Sequence, residues 1–379
     1  MTREEVSKET LLKINETKCL VLELITGFGK SKIAIDIINY ICNRVYIRDN
    51  EETSVLILVS KSVHKKTWLD EFDRWGGLNT DRVIIECYES LKNYKNSFFD
   101  VVICDEMQHL SNNRLSILAT IHINEALIGL SATIKDGLRD YFMGTYDAHV
   151  IKCGLKDAVI DDVLPDPTIY LIPLELDDKI YNCKSLLYGK TVITTQKKCY
   201  DNMSNTIKYY KNSFFNTGNQ RVKNLWLSKA GLRLKWLSDI KEPLVLLLLE
   251  KFKDYRTLTF CSSIAQSERL GKYNITSKNK KSEEYLSMFN DKKIKHITAC
   301  NILNEGVNLS DCRIGIFCNL NASTIITTQR TGRLLRHKKP IIIIPYYKNT
   351  REEELMEKMI EDYNKDLIII INNINNIKL

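Results

Sequence analysis

The stretch Cys19–Asn39, CLVLELITGFGKSKIAIDIIN, decides how the chain reads. Cys19 to Leu24 is an apolar, strand-forming run broken only by Glu23. Thr26-Gly27-Phe28-Gly29 follows as a tight turn, and Lys30-Ser31 comes next. Ile33, Ala34, Ile37, Ile38 and Ile41 then recur at helical spacing. A strand, a glycine turn and Lys-Ser at a helix start make a phosphate-binding loop. Glycines let backbone N–H groups close around phosphate oxygens, and the helix N-terminus adds partial positive charge. The lysine neutralises the β and γ phosphates, and the serine hydroxyl can ligate Mg²⁺. The general pattern also has a glycine five positions before Gly29, where this chain carries Leu24. The flanking strand and helix still identify a nucleotide site, with Thr26, Gly27, Phe28, Gly29, Lys30 and Ser31 as its contacts.

Working outward, Ser54–Ser60 (SVLILVS) is a strand buried on both sides. A helix with Trp68, Phe72 and Trp75 follows and stops at Gly76-Gly77. Val83–Cys87 is a further strand, Phe99–Cys104 another that ends in Asp105-Glu106, and Ala126–Leu130 a fourth that ends in Ser131-Ala132-Thr133. Strands alternating with helices predict a parallel, doubly wound sheet with its ligand at the carboxyl ends of the strands. The three polar clusters therefore converge on one edge. In isolation Asp105-Glu106 fits a solvated turn equally well. Directly after a buried strand in a phosphate-loop protein, the aspartate fits a Mg²⁺ holder and the glutamate a base for the water attacking the γ-phosphate.

A chain of 379 residues is too long for one ordinary core and predicts two domains. Hydrophobic content of 44% and charged content of 27% are those of a soluble globular protein. No leader pattern and no apolar run near the roughly 20 residues of a membrane span is present, which points to the cytoplasm of a bacterium or of a virus-infected host cell and to no membrane partner. None of the 11 cysteines forms a C-x-x-C pair, and Cys19, Cys104, Cys261 and Cys318 sit in apolar strands. They read as buried free thiols, not as a disulfide framework or zinc site. The net charge of +8 has the sign expected for a polyanion partner.

TGFGKS, then DEMQH (Asp105 to His109), then SAT (Ser131 to Thr133) resemble motifs I, II and III of the superfamily 2 helicases in the DExH style. RTLTFCSS (Arg256–Ser263) resembles motif IV, NILNEGVNLSD (Asn301–Asp311) motif V, and TQRTGRLLRH (Thr328–His337) motif VI. SVLILVSKSVHKKTWLDEF is similar to motif Ia of type III restriction motors and phage DNA helicases. The resemblance implies an α/β fold of two tandem RecA-like domains with ATP between them. It implies that Lys30 and Ser31 bind phosphate and Mg²⁺, that Asp105 holds the metal and that Glu106 is the catalytic base. Gln108 and His109 would sense the γ-phosphate, and Ser131 and Thr133 would couple hydrolysis to movement. Gly306 would touch both nucleotide and nucleic-acid strand, Asn308 and Arg330 would touch the nucleotide, and Gln329 would join Lys30 and Glu106 in catalysis with Arg333 and Arg336 as arginine fingers. Asn308 stands where the family commonly has Asp, and Met107 where it has alanine. No glutamine motif precedes residue 19; Arg3, Glu4 and Glu5 are the only candidates there.

The segment Tyr181–Ile240 carries eleven Lys/Arg against two acids, with nine aromatics interleaved. The charge suits phosphates, whereas the aromatics fit base stacking or packing on the second domain equally well. Asn212–Asn219 reads as its loop, and DLIIIINNINN near the end of the chain as helix. Pro165 and Pro167 divide a first domain, 1–164, from a second, 165–379, with a basic, largely helical insertion at about 178–240. The expected function is an ATP- and Mg²⁺-dependent helicase or translocase on nucleic acid, DNA favoured over RNA, with replication or repair proteins as further partners. The alternative is a nucleotide-gated clamp or RNA-remodelling ATPase without processive unwinding.

Overall fold

The computed structural model describes all residues except 50, 77–81, 188–189, 301–308, 310, 321–336 and 379. It divides into two units, Met1–Pro165 and Asp166–Leu379.

Unit 1 is built on six parallel strands: β1 (Cys19–Leu24), β2 (Val55–Val59), β3 (Val83–Cys87), β4 (Phe98–Asp105), β5 (His122–Ser131) and β6 (His149–Cys153). Their order is β3-β2-β4-β5-β1-β6. β1 and β2 are buried along their whole length, as strands covered on both faces must be. Helices α1 (Arg3–Lys13), α2 (Lys30–Asp49), α3 (Ser62–Trp75), α4 (Asn112–Leu118), α5 (Asp136–Tyr146) and α6 (Leu155–Ile160) connect or flank them. α3 ends at Gly76, whose φ of 94° lies in the region that favours glycine.

Unit 2 carries seven parallel strands in the order β11-β12-β10-β13-β14-β7-β15. They are β7 (Thr168–Leu174), β10 (Thr257–Phe260), β11 (Asn274–Ile275), β12 (His296–Ala299), β13 (Ile314–Phe317), β14 (Ile341–Tyr347) and β15 (Ile368–Ile370). An antiparallel hairpin, β8 (Cys183–Leu187) with β9 (Lys190–Thr194), and two long helices, α7 (Gln196–Thr217) and α8 (Gln220–Asp239), lie between β7 and β10. α9 (Glu242–Lys251), α10 (Ile264–Leu270) and α11 (Ser282–Asn290) follow, with a last helix at Arg351–Ile360.

Two expectations are corrected. Asn212–Asn219 is not a loop: α7 runs on to Thr217, because Phe214 and Phe215 pack against Trp226 of the returning helix. Only Gly218, at φ 64°, and the capping Asn219 make the turn. DLIIIINNINN is not an α-helix: Ile368–Ile370 pairs with β7 as an edge strand, between single 3-10 turns at Lys365–Leu367 and Ile374–Asn376. Among the described residues no helix is long and apolar enough to cross a membrane.

Candidate nucleotide site

β4, β5 and β1 are neighbours in the sheet of unit 1, in register with Asp105 opposite Leu130 and Glu23 opposite Ser131. Their carboxyl ends therefore bring together the phosphate-loop residues, Asp105-Glu106 and Ser131-Thr133. After β1 the chain turns through Gly27 (φ 91°) and Gly29 (φ 104°), conformations that side chains rarely adopt. α2 starts at Lys30, whose ammonium donates to the carbonyl of Leu24 at 2.9 Å, and Ser31 sits in its first turn. Phe28 has a fully buried side chain, and its N–H donates to Ile25 O at 3.1 Å. It anchors the loop from below. Thr26 is half-buried on the rim.

Asp105 accepts a 2.9 Å hydrogen bond from the Trp68 indole, and its carbonyl accepts from the Tyr88 hydroxyl at 2.9 Å. Burial, and then the neighbouring charge of Glu106, push its carboxyl up to about 6; the Trp68 bond and Lys30 work against the shift. Glu106 adopts a left-handed backbone (φ 51°, ψ 53°), which turns the chain sharply out of β4. Gln108 then donates its amide N–H to Glu106 at 2.7 Å and accepts from the Ser131 hydroxyl at 2.6 Å. Ser131 Oγ also accepts from Thr133 N at 3.2 Å. The His109 carbonyl is held by Arg114 at 2.9 Å. Met107 is fully buried over Gly129, where an added Cβ would come within 2.5 Å of the Met107 sulfur. The small residue on β5 makes room for the large one in the turn.

Three supporting residues have partners that no local pattern in the sequence identifies. Arg3, on α1, donates to the carbonyls of Phe28 at 2.9 Å and Gly27 at 3.1 Å, so it ties the loop to the first helix. Glu23 is buried on β1 and pairs with Arg139 of α5 at 2.7 Å while accepting from Ile134 N at 3.3 Å. That pair fastens the segment after Ser131-Thr133 to the strand that carries the phosphate loop. Gly306, Asn308, Gln329, Arg330, Arg333 and Arg336 lie outside the described residues.

The donors present fit ATP and Mg²⁺. Two positive-φ glycines stand in the loop ahead of a helix start, one ammonium stands beside them, and a hydroxyl and a carboxylate are hard oxygens of the kind that Mg²⁺ would take.

Residues 2–136 match the family described as "Type III restriction enzyme, res subunit", and residues 240–338 match "Helicase conserved C-terminal domain". The chain is 23% identical over 365 residues to the DNA 3′-5′ translocase XPB2 of Sulfurisphaera tokodaii, an alignment spanning 84% of this chain and 75% of the relative. Among solved structures, the Hef helicase domain of Pyrococcus furiosus superposes with a TM-score of 0.57 at 14% identity, over 93% of this chain and 97% of that one. A fragment of an HsdR subunit of a type I restriction enzyme from Vibrio vulnificus superposes at 0.63 and 15% identity, over 97% of this chain and 68% of that one. These likenesses agree with the tandem RecA-like arrangement of two parallel sheets. The chain belongs to the superfamily 2 helicases, a family of ATP-hydrolysing enzymes.

Proposed function

We propose that this protein is an ATP-driven translocase on DNA that moves 3′ to 5′ and displaces a paired strand. The observation that carries the reading is the run of neighbouring strand ends β4, β5 and β1, with the Ser131–Gln108–Glu106 chain of hydrogen bonds across them. In this reading Lys30 and the loop N–H groups hold the β and γ phosphates, and Ser31 with Asp105 holds Mg²⁺. Bound ATP supplies the phosphoryl group whose cleavage drives the cycle, and Mg²⁺ neutralises its charge. Glu106 orients and deprotonates the attacking water, as the base of a site that Gln108 keeps aimed. Ser131 and Thr133 pass a change at Gln108 to α5 through Ile134 and the Glu23–Arg139 pair. Arg333 and Arg336 lie outside the described residues, and the role proposed for them toward the developing phosphoryl charge rests on the resemblance of their motif alone. The choice of DNA and of direction draws on the XPB2 relative, and the basic segment of unit 2 supports a polyanion track.

The test is displacement of a labelled strand from duplexes carrying a single-stranded tail at either end. ATP-dependent displacement from the 3′-tailed duplex supports the proposal. Displacement from the 5′-tailed duplex alone would reverse the direction. Tight, ATP-modulated binding with no displacement from either would make the protein a nucleotide-gated clamp.

A further inference from the structure

Among the described residues the α7–α8 pair is anchored to unit 2 at its base, where Tyr200 and Leu237 are buried with Tyr347 and where Tyr200 Oη accepts from Arg351 N at 2.8 Å. Beyond that base, from Lys208 to Trp236, no residue is buried. This outer half contains seven Lys/Arg and no Asp or Glu. Near its turn three rings gather: Phe214 and Phe215 lie 5.5 Å apart, and each is 6.1 Å from Trp226. Lysine ammonium groups stand over two of them, Lys223 at 5.5 Å from Phe214 and Lys211 at 5.9 Å from Trp226. Phe215 is 67% exposed and Tyr209, a little further down α7, 69%.

Phe215, left largely in water near the turn of the hairpin, does nothing for the core of unit 2, and the excess of positive charge, Lys235 apart with its bridge to Asp239 at 2.7 Å, adds self-repulsion. Both features suit one kind of occupant. Phosphates meet the lysines without regard to sequence, and bases stack on the ring faces. Duplex DNA hides its base faces within its own stack and could use the charge alone. We propose that the tip of this hairpin binds unpaired nucleobases at a single-stranded end or single–double strand junction. Phe215 and Trp226 are the stacking faces, and Lys211, Arg221 and Lys229 hold the adjoining phosphates. The proposal rests on the reading of the chain as a nucleic-acid motor, but its test needs neither ATP nor movement.

The full chain, without nucleotide, is titrated with a single-stranded oligonucleotide carrying a fluorescent base analogue and with the blunt duplex of the same sequence, over a range of salt. Binding should change the emission of the analogue in the single strand. Phe215→Leu and Trp226→Ala should each weaken single-strand binding by roughly ten-fold while leaving duplex affinity and the salt slope unchanged. Phe215→Leu keeps an apolar side chain on the hairpin, and unchanged helical circular dichroism separates lost stacking from lost structure. Arg221→Gln combined with Lys229→Gln should instead lower the salt slope by roughly 1–2 on both nucleic acids. Parental binding by both ring variants would overturn the proposal, as would equal losses on single strand and duplex. Ring-dependent competition by polyglutamate would overturn it in favour of an acidic protein partner. Failure of the motor reading shows elsewhere, as ATP hydrolysis that survives Lys30→Ala, and leaves the binding result intact.

Discussion

The Ser131 hydroxyl donates to the Gln108 amide oxygen at 2.6 Å and so ties the end of β5 to the turn that follows β4. A hydroxyl has one proton to give, and the other acceptor in reach, Thr133 O at 2.9 Å, is the longer contact. Through Gln108 the link continues to Glu106 at 2.7 Å. Strand end, sensor amide and proposed base form one chain.

Ser131→Ala removes that donor from a fully buried position. We predict that the variant binds and hydrolyses ATP within a few-fold of the parent but converts hydrolysis into displacement poorly, since coupling energies of about 1–3 kcal/mol are typical of linked sites. The ratio of duplex displaced to ATP consumed checks this. An unchanged ratio would remove Ser131 from the coupling path.

Glu23 and Arg139 predict an asymmetry. Arg139→Ala leaves a buried carboxylate without its cation, whereas Glu23→Ala leaves a partly exposed guanidinium that retains Asp136 at 2.9 Å. Loss of one partner of a fully buried pair costs about 3–5 kcal/mol. Arg139→Ala should approach that range and Glu23→Ala should fall below it, as read from denaturant midpoints.

Asp105 sets a pH signature. Its carboxyl is pushed from 3.8 up to about 6, so between those values the folded chain binds more protons than the unfolded one. Stability of the nucleotide-free protein therefore falls as pH rises from about 4 to about 6. Nucleotide binding with Mg²⁺ runs the other way, because the metal requires the ionised carboxylate, and weakens as pH drops below about 6. Asp105→Asn should flatten the first profile and abolish the Mg²⁺ dependence of the second. Thermal melts and nucleotide titrations across pH check both.

In unit 2, Lys241 and Glu352 form an ion pair at 2.6 Å with side chains 0% and 1% exposed, and Lys241 also donates to Pro345 O at 3.1 Å. Lys241→Ala should cost about 3–5 kcal/mol by stranding the carboxylate. Lys241→Met combined with Glu352→Gln should recover most of the loss, because the second side chain can still accept from Tyr347 N, now at 3.2 Å to Glu352. Equal losses in the single and double variants would argue against the ion pair as the cause.

How far the sequence could be read follows from the range of each interaction. The glycine turn between β1 and α2, the strand ends and the helix stop at Gly76 are signalled within a few residues, and all of these features appear in the structure. Arg3 meets the loop from 24 and 25 residues away, and Glu23 meets Arg139 across 116, so no local pattern announces them. β7 and β15 lack a decisive local signal for the same reason: TIYLIPL contains a proline and LIII fits either period, and it is the pairing of β7 with β14 and with β15 that fixes both as strands. The supposed loop at Asn212–Asn219 failed because Asn, Ser and Gly outweighed the aromatic contacts that extend α7.

The most direct test of the account is ATP hydrolysis by the purified protein alone, with single-stranded DNA, with duplex DNA and with RNA, beside Lys30→Ala and Glu106→Gln. The account predicts strong stimulation by DNA and little by RNA, with both variants inactive and Glu106→Gln still binding nucleotide. Hydrolysis that persists in Lys30→Ala, or a parental rate indifferent to every nucleic acid, would contradict it.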